Sequence, residues 1–127
     1  MLVALDRRAP FEDVRDFAHE LAELLAERHP ELLTTAARKQ ARERRLYLDI
    51  QCNAYGQTAV TPHAVRALPG APVATPLSWS ELDDPDLTPQ RWTPTTIDER
   101  LASDDPWKQE LRRGRSLKAA DRRLEKL

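Results

Sequence analysis

Eight of the ten prolines in the chain lie between Pro62 and Pro106. Proline locks φ and removes an amide donor, so neither a long helix nor a central strand can run through that stretch. The spacing predicts extended segments and turns instead. Residues 67–79 (ALPGAPVATPLSW) read as a proline-punctuated extended segment, and Ser80–Asp86 as an acidic turn. A short helix is expected over Thr96–Leu101, capped by Thr95 or Thr96.

The first half obeys different rules. Val14, Phe17, Ala18, Leu21, Leu24 and Leu25 recur at i, i+3, i+4 and i+7. That stripe predicts an amphipathic helix over residues 11–28, with Arg15, Asp16, Glu20, Glu23 and Glu27 on its opposite face. Pro10 suits the entry, Glu12 and Asp13 suit the positive end of the dipole, and His29-Pro30 ends the pattern. Ahead of it, the apolar residues 2–5 read as a short buried strand, and Asp6–Pro10 as a turn.

Thr34 or Thr35 is expected to cap a second helix running to about Ala41. Residues 36–45 hold five basic residues, Arg38, Lys39, Arg42, Arg44 and Arg45, against Glu43. Residues 45–50 alternate as a strand, with Leu46, Leu48 and Ile50 on one face and Tyr47 and Asp49 on the other. Asn53–Gly56 reads as a turn, and 57–61 as the returning strand. Residues 108–127 carry eight basic residues against three acidic ones, a basic terminal helix or tail with Gly114 as its weak point.

Length and composition remove several classes. At 127 residues and 32 % charged, the chain suits one soluble, polar domain. No apolar run approaches the roughly 18–20 residues of a membrane span. The run before Asp6 is shorter than the roughly 7–15 apolar residues of a signal peptide. Cys52 is the single cysteine, which excludes an internal disulfide or a Cys-x-x-Cys zinc site. The net charge of −1 provides no general attraction to nucleic acid, so any such attraction must be local. P-loop, dinucleotide-binding and hydrolase elbow motifs have no match.

Three features bear on chemistry. A strand carboxylate such as Asp49 is a good ligand for Mg²⁺ or Mn²⁺, and equally an ordinary solvated residue. The Arg66 guanidinium could clamp a phosphate through paired bonds, or simply face solvent. The Arg38–Arg45 segment could bind a phosphate backbone, or be a solvated helix face. His19, His29 and His63 share no metal-ligand spacing, and Trp79, Trp92 and Trp107 read as loop anchors packed on a core.

Three strings taken in order change the balance: RLYLDIQCN at 45–53, TPHAVR at 61–66 and PVATPLSWSEL at 72–82. Together with Thr34-Thr35 and Asp105-Pro106-Trp107, this series resembles the C-terminal part of the polymerase domain of bacterial DNA ligase D. That family belongs to the archaeo-eukaryotic primase superfamily and works in non-homologous end joining. The resemblance covers residues 1–107 as the C-terminal portion of such a domain, leaving 108–127 as the basic helix or tail.

The resemblance implies an α+β fold. It would have a partial mixed or antiparallel sheet, the long amphipathic helix packed on it, an irregular Pro-rich module and the basic terminus. It implies that Asp49 is a catalytic carboxylate holding Mn²⁺ or Mg²⁺, and that Arg66 contacts the triphosphate of the incoming nucleotide. Asn53 would hold the loop after the metal strand, His63 would lie among the nucleotide contacts, and Lys39 and Arg42 would contact DNA phosphates. The implied partners are DNA ends and nucleoside triphosphates in the bacterial cytoplasm, with no membrane.

There are departures from the family pattern. The Asp-x-Asp motif that supplies the family's first two metal carboxylates, and a Ser/Gly/His nucleotide motif, lie upstream in the family and have no counterpart ahead of the long helix here, where Asp6 is the only aspartate. His63-Ala64 stands where the family has Tyr-Ser, and Glu43-Arg44 where it often has glycine. The expectation is a fragment, inactive alone, that an upstream polypeptide carrying the missing half could complete. The alternative is a non-catalytic DNA- or protein-binding remnant.

Overall fold

A computed structural model describes residues 3–127, with the side chains of residues 109 and 110 outside the description. The described residues form two compact units: residues 5–58 with 114–127, and residues 3–4 with 59–113.

In the first unit, helix α1 spans Phe11–Arg28, as the apolar stripe predicts. Glu12 and Asp13 occupy its first turn, and the His29 N–H closes its end on Leu25 O at 3.0 Å. The residues of the stripe are half-buried, and Ala22 beside them is buried. The helix packs on residues Leu33–Thr34, on the Gln51–Asn53 turn and on the helix Leu117–Leu124.

The sheet corrects the expected topology. It is one parallel pair, neither mixed nor antiparallel: β1 (Leu33–Thr34) beside β2 (Leu46–Tyr47), with Leu33 opposite Leu46 and Thr34 opposite Tyr47. Leu46 N–H bonds Leu32 O at 2.8 Å, and Leu48 N–H bonds Thr34 O at 2.9 Å. Thr34 therefore joins a strand, where a β-branched side chain buries well, and caps no helix. The second helix shrinks to a 3-10 turn at Lys39–Arg42. Its closely spaced cations repel along a helix face, and Arg42 folds back onto the Ala36 and Ala37 carbonyls.

The expected strand 45–50 keeps only Leu46–Tyr47, because its partner is two residues long. Asp49 then captures the Gln51 N–H and starts a 3-10 turn at Gln51–Asn53. Residues 57–61 form no strand. The Asn53–Gly56 region does turn, with Gly56 at φ 73° and Gln57 N–H on Ala54 O at 3.2 Å.

Of the expected strand 2–5, Leu2 lies outside the described residues, Val3 is exposed, and Leu5 makes one parallel bridge to Arg115. Gly114 makes that bridge possible. A Cβ there would stand 2.8 Å from Asp6 Cα and 2.8 Å from Leu5 O, closer than carbon atoms pack. The basic terminus divides around it into α3 (Trp107–Glu110) and α4 (Leu117–Leu124), with Leu117 buried.

The second unit buries two of its eight prolines, Pro72 and Pro76. Pro72 is its most buried side chain, with Val73, Pro76 and Ile97 also buried. Pro72 cannot donate, but its carbonyl accepts the Arg66 N–H at 2.9 Å. Val65 pairs antiparallel with Val73, and the Val73 N–H reaches Trp92 O at 2.8 Å. Of the expected extended segment 67–79, residues 67–71 turn instead, with Gly70 and Ala71 at φ 81° and 46°, and residues 72–78 run extended into a 3-10 turn at Trp79–Asp83. The short helix is α2 (Asp98–Ala102), two residues later than expected. The Thr96 hydroxyl accepts the Thr93 N–H and closes the preceding turn, so it does not cap α2. Trp92 and Trp107 are half-buried, but Trp79 is 75 % exposed and anchors nothing. No helix among the described residues is long and apolar enough to cross a membrane.

Candidate functional site

In the first unit the site is a short run of chain after β2. Asp49 is exposed, and its Oδ1 accepts the Gln51 N–H at 3.1 Å. Asn53 braces the same turn from its other end: its backbone N–H and its Nδ2 both donate to Ile50 O, at 3.1 and 3.0 Å. Asn53 thus braces the turn that follows Asp49. Three local bonds at one turn orient an aspartate without burying it, and its second oxygen has no partner among the described residues.

The basic segment ahead of β2 divides into two kinds of residue. Arg42 is committed internally. Its Nε and Nη2 donate to Ala36 O (3.2 Å) and Ala37 O (2.8 Å), and its guanidinium lies 4.1 Å from the Tyr47 ring centroid. Arg45 is committed too, to the carbonyls of Pro30, Ala41 and Arg42. By contrast Arg38, Lys39 and Arg44 are exposed, and no side-chain bond occupies them among the described residues. Glu43 and Arg44 both adopt left-handed backbone, at φ 48° and 67°. That turn presents the Arg44 side chain, at a conformational cost of about 1 kcal/mol for each non-glycine residue.

In the second unit, Arg66 follows the Val65–Val73 bridge. Its backbone is held at both sides, N–H on Pro72 O and C=O accepting the Leu68 N–H at 2.8 Å. Its guanidinium is exposed and makes no hydrogen bond or ion pair among the described residues. An anchored backbone with a free forked donor is the arrangement a phosphate contact needs. His63 is exposed at φ 61°, its N–H on Ala74 O at 2.7 Å. Both residues are thus placed by the same extended segment, 72–74.

Sequence reasoning missed one cluster here. Glu81 accepts from the Ser78 N–H and hydroxyl, at 2.7 and 3.0 Å, and from both terminal nitrogens of Arg100. Burial pushes the Glu81 carboxyl up, but the Ser78 and Arg100 bonds outweigh it and hold it below the usual carboxylate range. Arg91, paired with Asp84, likewise holds that carboxyl low, and both arginines approach the Trp92 ring. The Ser-x-x-Glu spacing at 78–81 was the available signal; its distant partner Arg100 left no local trace.

The described residues contain no group of three or more His, Cys, Asp or Glu side chains able to hold a metal ion. Asp49 offers at most one ligand, so these residues do not by themselves fit a two-metal centre.

The family description "LigD, primase-polymerase domain" matches residues 1–107. A multifunctional non-homologous end joining protein LigD from Pseudomonas aeruginosa is 36 % identical over 110 residues, covering 84 % of this chain and 13 % of the relative. A bifunctional LigD from Bacillus subtilis is 35 % identical over 91 residues, covering 72 % of this chain and 15 % of the relative. Among solved structures, the polymerase domain of Mycobacterium tuberculosis ligase D in complex with DNA superposes with a TM-score of 0.76 at 26 % identity. That match covers 87 % of this chain and 38 % of the solved domain. The chain thus spans a minor part of each of these proteins.

Proposed function

Because the chain belongs to the LigD primase-polymerase domain family, we propose that it is a section of a DNA-repair polymerase that adds nucleotides to DNA ends in bacterial cytoplasm. In this reading Asp49 supplies one carboxylate to a divalent cation, Mg²⁺ or Mn²⁺. Arg66 contacts the triphosphate of the incoming nucleotide, with His63 beside it. Lys39 contacts the DNA backbone. Asn53 and Arg42 act indirectly, by holding the segments on either side of Asp49.

The observation that carries the reading is Asp49: an exposed carboxylate two residues past β2, with one oxygen fixed by Gln51 and the other without a partner among the described residues. A two-metal reaction needs several such carboxylates around its cations. The 127 residues alone therefore do not extend DNA; further carboxylates must come from polypeptide outside them.

The test is a graft. The 127-residue chain replaces the segment it matches in the M. tuberculosis ligase D polymerase domain, and nucleotide addition to a primed DNA end is measured with Mn²⁺. Asp49→Ala should reduce addition to background while the graft still melts cooperatively, since the bond lost to Gln51 N–H is a single exposed one. Arg66→Ala should raise KM for the nucleotide about tenfold or more, as expected for a charge-assisted bond of about 1.5–3 kcal/mol. Full activity in the Asp49→Ala graft, or Asp49-dependent extension by the chain alone, overturns the reading.

The second reading is a non-catalytic DNA-binding piece. The free side chains of Arg38, Lys39 and Arg44 favour it. Binding by the chain alone that steepens at low salt and ignores Asp49→Ala would select it.

A further inference from the structure

Arg66 owes its place to a segment that another arginine holds. Its N–H bonds Pro72 O at 2.9 Å, and the preceding Val65 bridges Val73. The His63 N–H reaches Ala74 O at 2.7 Å, and the Ala74 N–H returns to Ala64 O at 2.9 Å. Residues 63–66 therefore lie along 72–74. Pro72 is buried but has no N–H with which to tie that segment down. Two other points do so. The Val73 N–H donates to Trp92 O at 2.8 Å, and Pro76 O accepts from Arg100 Nη2 at 2.6 Å.

Arg100 stands at both points. Besides holding Pro76, its guanidinium lies 5.4 Å from the ring centroid of Trp92, the residue whose carbonyl holds Val73. Glu81 accepts from both terminal nitrogens and so fixes the plane of the guanidinium. Only a planar fork can grip a carboxylate with two nitrogens and still donate to a carbonyl beside it; a lysine ammonium is a single point. The Arg100 side chain is 13 % exposed and both its terminal nitrogens are engaged, so it acts through what it holds.

We propose that Arg100, fixed by Glu81, is a positioning residue for nucleotide binding: it holds segment 72–76 through Pro76 O and Trp92, and that segment sets where Arg66 presents its guanidinium. A charged contact loses much of its worth when its backbone shifts by even about 1 Å. The inference rests on the polymerase reading, in which Arg66 meets the triphosphate, and adds to it a determinant of nucleotide affinity that touches no nucleotide.

The test is steady-state kinetics of nucleotide addition by the graft described above. Arg100→Lys keeps the charge and loses the fork; Glu81→Gln keeps the length and loses the charge. Each should raise KM for the nucleotide about threefold or more and leave kcat within about twofold. The rise must stay below that of Arg66→Ala, because an effect transmitted through Arg66 cannot exceed its deletion. Added to Arg66→Ala, Arg100→Lys should leave KM within about twofold, a non-additivity that general destabilisation does not produce. Equal KM increases with and without Arg66 overturn the proposal, as does a KM indifferent to Arg100→Lys when Arg66 is present. Amide exchange in the 127-residue chain reads the same link without catalysis. Arg100→Lys should speed the Val73 and Arg66 amides by about tenfold or more, while Leu46 and Leu48, in the other unit, keep their rates. Should the variant graft not melt cooperatively, exchange decides, and an unchanged Arg66 amide overturns the proposal. A normal KM in Arg66→Ala removes the polymerase role of Arg66 and this proposal with it; a raised KM there, with Arg100→Lys indifferent, removes this proposal alone.

Discussion

The guanidinium of Arg100 meets both carboxylate oxygens of Glu81, Nη1 to Oε1 at 2.8 Å and Nη2 to Oε2 at 3.1 Å, nineteen residues away in the chain. Nη2 also donates to Pro76 O at 2.6 Å, so one side chain ties the extended segment, the 3-10 turn and α2 together. The Arg100 side chain is only 13 % exposed. Removing it leaves a partly buried carboxylate and a carbonyl short of their donor. Arg100→Ala should destabilise the chain by about 1.5–3 kcal/mol, read by denaturant melts. A double-mutant cycle with Glu81→Ala should show strong coupling between the two, since they share one set of bonds.

The same pair sets an acid limit. Its bonds hold the folded-state pKa of Glu81 below the ordinary value of 4.5. A depressed carboxylate contributes stability that is fully present above the unfolded pKa and is lost as pH falls through the folded one. Melting temperature should therefore drop as the solution is acidified below about pH 4.5. Arg100→Met should flatten that drop by returning Glu81 toward its ordinary value. An unchanged acid slope in the variant would count against this assignment.

The Glu43-Arg44 turn holds two non-glycine residues at positive φ. Glycine adopts that backbone freely but loses more entropy on folding. The net effect of Arg44→Gly should be a gain of about 0.5–1 kcal/mol, seen as a higher melting temperature. If the second reading holds and Arg44 touches a phosphate, the gain should come with weaker DNA binding and a smaller salt slope.

Gly114 and Gly56 should respond to alanine for different reasons. At Gly114 the new Cβ meets the backbone of Leu5 and Asp6, which cannot move aside cheaply. Gly114→Ala should cost about 1–3 kcal/mol and release the Leu5–Arg115 bridge, visible as faster exchange of the Asp6 amide. Gly56 has open space but φ +73°, so Gly56→Ala should cost only about 1 kcal/mol of backbone strain.

Lys39 and Arg42 are separable by salt titration. Arg42→Ala removes two carbonyl bonds and the Tyr47 stack, so it should lower the melting temperature. Lys39→Ala should leave melting unchanged and, if Lys39 touches a phosphate, reduce the slope of log binding constant against log salt by about one. An unchanged slope with Lys39→Ala would remove it from the DNA contacts.

Helix α1 was legible in the sequence to its end residues, because a stripe of period 3.6, a proline entry and a His-Pro exit are all local facts. The extended character of 72–78 was equally local, since proline carries its constraint with it, but the turn at 67–71 within the expected segment was not read. The family too was legible, because its motifs are short strings whose order does not depend on packing. The sheet was not. Alternation at 45–50 states that a strand can form but not which partner pairs with it, how far, or in which direction. Thr34 entered a strand because Tyr47 lay beside it, and a hydrogen-bond partner is chosen by tertiary structure. The division of the basic segment into bound and free cations has the same origin. Arg42 and Lys39 carry equal charge in the sequence, and only the carbonyls and ring that folding brings within reach separate a brace from a candidate phosphate contact.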